Sequence, residues 1–254
     1  MEIETYDHGV PSWVDLNTPD IDKAREFYGR LFGWKIDAGP PEAGGYSIAS
    51  LRDKPVAGIG PQQQPGPSFW TTYVNVDDAD LVVKKAQENG ATVFMEPFDV
   101  MDAGRMAIFA DPQGAVVAIW QPRNHKGAGV VNEPNTYSWS ELLTTDVDAA
   151  KRFYGEVFGW GSRTSGEGPG AYTEWMVGER GVSGMMLKPA DMPAQVPPHW
   201  SVYFAVEDTA ATVAQLEKLG GSVVMPPRDI EPGIFAVVAD SQGAVFQVIQ
   251  LHRH

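Results

Sequence analysis

The stretch WVDLNTPDIDKAREFYGRLFGW, residues 13–34, decides the fold of this chain, because a second copy, WSELLTTDVDAAKRFYGEVFGW, follows at residues 139–160. The two copies are identical at 12 of 22 positions and align without a gap. Two further pairs of segments match in the same order, residues 70–73 with 200–203 and residues 111–116 with 240–245. Matches that keep their order and nearly their spacing indicate an internal duplication, so the 254 residues form two homologous halves.

The start of each half has the pattern of a strand followed by a helix. Residues 11–17 alternate between apolar and polar side chains, as a half-buried strand does. Thr18 and Pro19 are interpreted as the N-cap and first-turn proline of the helix, and Gly33 as its left-handed C-cap. The apolar residues between them recur at helical spacing: Ile21, Ala24, Phe27, Tyr28 and Leu31.

The rest of the first half repeats this plan. Glycine and proline turn signals separate short apolar runs that predict strands near residues 46–51, 56–60, 71–76, 92–95, 105–110 and 116–121. A second helix is predicted to begin at Asp77 or Asp78 and to stop at Gly90. The chain is therefore expected to contain four units of one strand, one helix and three strands. They form two domains, residues 8–121 and 135–251, joined by a linker at 122–134.

Composition excludes several classes of protein. The chain has no cysteine, which removes disulfides, zinc fingers and thiol nucleophiles. Its net charge of -14 disfavours nucleic acid as a partner, and no apolar run approaches the length of a membrane span. The acidic start, Met1–Glu4, lacks the basic region of a secretory signal, so a cytoplasmic location is expected. Four units in one chain can pair internally, which predicts a monomer or a homodimer.

The strand, the aspartate-rich helix start, the FYG–FGW helix end and the late DPQG turn resemble the vicinal oxygen chelate superfamily. This group includes glyoxalases, bleomycin-resistance proteins and extradiol dioxygenases. The resemblance covers nearly the whole chain, once in each half. It implies an α+β fold of four βαβββ units, in two tandem glyoxalase-like domains whose curved mixed sheets enclose cavities. In this family a divalent metal often lies in such a cavity.

The same resemblance places the metal ligands of the family on six positions of this chain. The histidine on the first strand of a unit corresponds to Trp13, Thr71, Trp139 and Ser201, and the glutamate on the last strand to Ala118 and Gln247. Divalent metals need imidazole or carboxylate ligands, which none of these residues supplies. The sequence therefore predicts that the usual metal site is missing and that no cofactor is bound.

A displaced metal site is an alternative in the second half. Strand alternation places His199, Ser201 and Tyr203 on one face, and the resemblance implies that this face is the cavity side. His199, Glu141 and Gln247 could then converge. The structural alternative is that His199 is an ordinary hydrogen-bonded residue at a strand start. The remaining histidines, His8, His125, His252 and His254, lie at the termini or in the linker and have no metal-ligand spacing.

Large aromatic residues and two acids occupy the cavity side instead. Alternation places Asp15 on the face of Trp13 and Glu141 on the face of Trp139. Tyr73, Tyr203 and Trp120 are predicted to face the same cavities. Aromatic walls with a carboxylate are typical of a pocket for a flat or cationic organic molecule, and a desolvated carboxylate can act as a general base. The competing interpretation is that the tryptophans fill the core, with an acid accepting from an indole N–H.

Three functions remain open on the sequence. The first is binding of a small aromatic or cationic molecule without the metal of the family, and we expect the second half to be the active one if only one is. The second is an enzyme, namely a lyase, a dioxygenase or a hydroxylase-like protein, with Asp15, Glu141 and His199 as the candidate catalytic residues. The third is a partner-binding or structural module.

Overall fold

The computed structural model describes residues 1–63 and 65–252, and within these ranges each half forms one eight-stranded mixed sheet. His254, one of the histidines considered above, lies outside the described residues. The elements of the first half are β1 Pro11–Thr18, α1 Ile21–Phe32, β2 Lys35–Ala38, β3 Ser47–Leu51, β4 Lys54–Pro61, β5 Phe69–Asn75, α2 Ala79–Glu88, β6 Thr92–Val100, β7 Gly104–Ala110 and β8 Val116–Pro122. Those of the second half are β9 Thr136–Thr144, α3 Val147–Phe158, β10 Gly161–Ser165, β11 Tyr172–Val177, β12 Arg180–Leu187, β13 His199–Ala205, α4 Thr209–Lys218, β14 Ser222–Ile230, β15 Gly233–Ala239 and β16 Val245–Leu251.

The strand order is the same in both sheets and confirms the α+β fold of βαβββ units. In the first half it is β2-β3-β4-β1-β5-β8-β7-β6, and in the second half β10-β11-β12-β9-β13-β16-β15-β14. The first strands of the two units, β1 and β5, pair antiparallel at the centre of the sheet, and each pairs parallel with the last strand of its own unit. Neither sheet closes into a barrel in the described part of the chain.

The helix starts differ from the prediction in one detail. Thr18 is the last residue of β1, and Asp20 is the N-cap of α1, accepting a hydrogen bond from the Lys23 backbone N–H at 3.1 Å. The interpretation of Thr18 and Pro19 as cap and first-turn proline is therefore wrong, because the strand continues through Thr18 and a better capping residue follows. The predicted C-cap is confirmed, since Gly33 has φ 70°.

The repeated helices join the two halves. Tyr28 of α1 donates a hydrogen bond to Asp240 at 2.9 Å and accepts one from the Trp70 indole at 3.1 Å. The equivalent contacts in the other half are Tyr154 to Asp111 at 3.0 Å and Trp200 to Tyr154 at 3.0 Å. The repeated FYG, tryptophan and DPQG-type motifs thus form two matching contacts between the halves. These contacts lie on the helix-covered face of each sheet, and the opposite face takes no part in them.

None of the helices in the described ranges is long and apolar enough to cross a membrane.

Candidate functional site

The candidate site lies on one face of each sheet. Trp70 on β5 contacts Tyr28 of α1. By strand alternation, Thr71 and Tyr73 therefore share the opposite face of the sheet, away from the helix. Asp15 is the direct partner of Thr71 in the antiparallel pair β1–β5 and of Gly58 in the parallel pair β1–β4. We call this face, opposite to the helices, the inner face.

A hydrogen-bonded network surrounds Asp15 on the inner face of the first half. The Tyr73 hydroxyl donates to Oδ2 of Asp15 at 2.8 Å, and the Tyr46 hydroxyl also bonds this carboxyl group. Tyr46 in turn accepts from the Trp13 indole N–H at 3.0 Å. Asn17 donates from Nδ2 to Oδ1 of Asp15 at 3.2 Å. The predicted residues Trp13, Asp15 and Tyr73 therefore lie together, with Tyr46 as a link between the indole and the acid.

The second half repeats the network around Glu141. Tyr203 donates to Oε1 of Glu141 at 3.1 Å, Tyr172 bonds the same carboxyl group, and the Trp139 indole donates to the Tyr172 hydroxyl at 2.9 Å. We call these two arrangements of tryptophan, tyrosine, acid and tyrosine the carboxylate networks.

Two glycines leave room for the networks. Gly58 and Gly184 are the β4 and β12 partners of the two acids. A Cβ atom at Gly58 would lie 1.8 Å from the Tyr46 hydroxyl oxygen, and one at Gly184 would lie 1.9 Å from that of Tyr172. Because a side chain at either position would displace the tyrosine hydroxyl, glycine keeps each network in its present arrangement.

Burial changes the acidity of these groups. It raises the pKa of Asp15 from its usual 3.8 to about 6, against the hydrogen bonds of Tyr73, Asn17 and Tyr46, which lower it. Burial likewise raises the pKa of Glu141, opposed by the hydrogen bonds from Tyr172 and Tyr203. Asp15 and Glu141 are each 7 % exposed. These carboxyl groups consequently take up a proton more readily than ordinary acids, which suits a group that transfers a proton.

The chain covers the inner face of the first half with a strap, residues 123–129, that follows β8. Its backbone bonds Ala103 at one end and Ser12 and Pro55 at the other. The ring of His125 packs edge-on against Trp13, with centroids 4.4 Å apart. The Trp120 indole donates to the His125 carbonyl at 2.9 Å, so both rings cover the network.

His125 is largely buried, although its position in the predicted linker gives no indication of this. Burial lowers its pKa to about 4, so the ring is neutral near pH 7. Its Nε2 atom is buried and has no hydrogen-bond partner among residues 1–63 and 65–252.

The second half has different residues around its network. Gln247 is the β16 partner of Tyr203 and replaces Ala118, and Ile249 stands in the place of Trp120. Gln247 and Ser201 are 6 % and 5 % exposed. Trp139 is only partly buried, whereas its counterpart Trp13 is 4 % exposed.

His199 does not join the network. Its Nδ1 forms a hydrogen bond with the Pro197 carbonyl at 2.8 Å, and its strand partner is Leu143 rather than Glu141. In the part of the chain that the structure describes, no group of three or more histidine, cysteine, aspartate or glutamate side chains is placed to hold a metal ion. The donors at the family's ligand positions are indole, hydroxyl, methyl and amide groups, and the nearby acid is already bonded by tyrosines. These residues do not fit a divalent metal.

The side chains of both networks are largely closed off from solvent. Two surface depressions, of about 220 and 390 Å³, lie beside α1 and away from both networks. The side chains of the networks keep small exposed fractions, such as 6 % for Tyr73 and 8 % for Tyr203. The residues of each network are therefore largely buried, and their own aromatic side chains account for much of the filling of each inner face.

Sequence reasoning missed Tyr46, Tyr172 and His125. The two tyrosines could have been found from the repeat, because they stand 126 residues apart, each after a glycine-rich segment and just before or at a strand. His125 carried no such signal, since its position depends on how the strap folds back.

Comparison with known proteins agrees with this architecture. A model of the Glyoxalase/Bleomycin resistance protein/Dioxygenase superfamily matches residues 10–119 and 132–248. The "Putative glyoxylase CFP32" of Mycobacterium bovis is 45% identical, over 96% of each chain, and the anthracycline biosynthesis protein DnrV of Streptomyces peucetius is 37% identical, over 96% of this chain and 94% of that protein.

Solved structures agree on the fold alone. The 2,3-dioxygenase LapB of Pseudomonas sp. KL28 superposes with a TM-score of 0.68 at 14% identity, over 97% of this chain and 94% of that chain. The Mn(II)-bound glyoxalase of Novosphingobium aromaticivorans superposes with a TM-score of 0.65 at 15% identity, over 96% and 83%. With the family model matched once in each half and a curated relative sharing 45% of its residues, this chain belongs to the Glyoxalase/Bleomycin resistance protein/Dioxygenase superfamily.

Proposed function

We propose that this protein binds a small aromatic or cationic organic molecule on an inner face and does so without a divalent metal. The observation that carries the proposal is the duplicated carboxylate network. At the place where the family keeps metal ligands, each half instead holds an acid between two tyrosine hydroxyls with an indole beside it. Aromatic faces next to a carboxylate attract flat and positively charged groups.

The relatives' names support a small organic ligand in a general way. One is named a glyoxylase, and another takes part in anthracycline biosynthesis according to its name.

Equilibrium dialysis against a panel of aromatic alcohols, aromatic amines and aliphatic cations tests this function. We expect at least one aromatic compound to bind, with an affinity that EDTA does not change and that Glu141→Gln or Asp15→Asn weakens roughly tenfold, because a charge-assisted contact is lost. Glu217→Gln, an exposed acid on α4, is the matched control and should bind like the wild type. Stoichiometric, tightly held zinc, nickel, iron or manganese whose removal abolishes binding would contradict the proposal.

A second candidate is an enzyme that removes a proton from a bound metabolite. The observation that favours it is the pKa of about 6 for Asp15, which burial produces and which lies near the range of a general base. In that case turnover of a metabolite would rise with pH through a midpoint near 6, and Asp15→Asn would lose this dependence.

A further inference from the structure

The second half contains a buried polar atom that nothing in the described chain satisfies. Gln247 on β16 pairs with Tyr203 on β13, and the residue is 6 % exposed. Its Oε1 atom is buried and has no hydrogen-bond partner within residues 1–63 and 65–252. An unmet buried acceptor destabilises the fold unless something supplies a donor, so its presence calls for an explanation.

The surroundings of this atom define what could supply the donor. Paired residues of neighbouring strands share a face, so Gln247 lies on the inner face with Tyr203, whose hydroxyl is already used on Glu141. Ser201 pairs with Glu141 on the same face. Trp139 is partly exposed, and no aromatic ring within the described ranges stacks against it. The site therefore presents a carbonyl acceptor without a partner in the described residues and a partly exposed indole, on the two strands that flank Tyr203.

We propose that Gln247 determines the specificity of the second half by accepting, at Oε1, a hydrogen bond from the O–H or N–H of a flat aromatic ligand. This inference rests on the proposed binding function and names the ligand class and the half that takes it.

The first half lacks both features. Its counterpart of Gln247 is Ala118, which offers no polar atom. Trp120 occupies the space over Gly104, where a Cβ would lie 2.4 Å from the indole, while Ile249 is the smaller residue in the second half. His125 covers Trp13. The rings of His125 and Trp120 thus cover the first network, whereas in the second half Phe235 packs against Tyr203, with ring centroids 6.3 Å apart, and Trp139 stays partly exposed.

Two probes that differ in one donor test the assignment. 2-Naphthol carries an O–H and 2-methoxynaphthalene does not, while their ring systems are the same. By equilibrium dialysis with the full chain we expect the wild type to bind 2-naphthol roughly threefold to tenfold more tightly, the range of one hydrogen bond. Gln247→Ala installs the residue of the first half and should remove this preference, so that the affinities for the two probes become equal. Gln247→Leu, which fills the same space, should do the same and guards against a folding defect. His125→Ala, in the first half, should alter neither affinity.

The outcomes separate this inference from the proposed function. Equal binding of both probes by the wild type, unchanged in Gln247→Ala, would overturn it and mean that water satisfies the amide. Binding that Glu141→Gln weakens and Gln247→Ala leaves intact would also overturn it while supporting the proposed function. Binding that depends on His125 rather than Gln247 would overturn the choice of half. Failure of both probes to bind would overturn the ligand class, and binding of an aliphatic cation from the dialysis panel would then still support the proposed function.

Discussion

Asp15 in the first half receives hydrogen bonds from Tyr73, Tyr46 and Asn17, whereas Glu141 in the second half receives them from Tyr203 and Tyr172. The acid differs by one methylene group, yet the indole–tyrosine–acid–tyrosine order is the same in both halves. The position next to each acid also differs, since the second half has Leu143 where the first has Asn17.

This difference separates what the two halves share from what each has of its own. The carboxylate network and the glycine beside it occur twice, which makes them part of the common architecture. The residues around the network, His125 and Trp120 in one half and Gln247 and Ile249 in the other, are not shared. A function of one half must therefore come from these unshared residues, because the shared ones would give both halves the same properties.

The largest expected effect concerns the buried acid of the first half. The folded chain holds a proton on Asp15 up to about pH 6, while the unfolded chain loses it near 3.8. Between these pH values the folded state binds more protons than the unfolded state, so the free energy of unfolding falls as pH rises. The fall amounts to about 3 kcal/mol between pH 3.8 and 6, and the free energy of unfolding is constant at higher pH. Urea unfolding at several pH values should show this slope in the wild type.

Asp15→Asn should remove that slope, because the amide does not titrate. Asp191→Asn, an exposed loop residue, is the control and should keep it. If the free energy of unfolding changed between pH 4 and 6 by the same amount in the wild type and in Asp15→Asn, the raised pKa of Asp15 would be contradicted. Glu141→Gln should likewise reduce the fall of the free energy of unfolding with pH, because burial also raises the pKa of Glu141. This variant tests whether the acids of the two halves titrate alike.

The next effect is steric and should be similar in both halves. Gly58→Ala and Gly184→Ala each place a methyl group where a tyrosine hydroxyl now lies. We expect each to lower the free energy of unfolding by about 1–3 kcal/mol, the range for overpacked interiors. Gly170→Ala is the control, because a Cβ there meets no atom within 4 Å and the loss should be near zero. If only one of the two alanine variants lowered the free energy of unfolding, only one network would contribute to the stability of the fold.

The shared architecture is what the sequence predicts well. The order of the repeated motifs indicates two halves of βαβββ units, and strand alternation alone places Asp15 with Trp13 and Glu141 with Trp139. These predictions succeed because period and order are local properties of the chain. The N-cap of α1 is harder, since Thr18 and Asp20 are both good capping residues and only the length of β1 decides between them.

The unshared residues are what the sequence predicts poorly. Tyr46 reaches Asp15 across two strands that are distant in sequence, which requires the register of β3 and β4 to be known. His125 sits in a segment that the composition identifies only as a linker, and its contact with Trp13 depends on the backbone bonds of the strap. Gln247 was a candidate, but only the packing shows that its Oε1 has no partner in the described residues.

The smallest expected effect concerns Asn17, which donates a hydrogen bond to Asp15 and has no polar counterpart beside Glu141. Asn17→Leu installs the residue of the second half and removes a donor, 3.2 Å from Oδ1 of Asp15, that favours the charged carboxylate. The pKa of Asp15 should therefore rise further, and the pH window in which stability falls should extend upward, with a change of less than about 1 kcal/mol near neutrality. A carbon-13 NMR titration of the Asp15 carboxyl group measures this shift. A fall in the pKa would mean that desolvation by Asn17 outweighs its hydrogen bond, and that the acids of the two halves differ for a reason other than this donor.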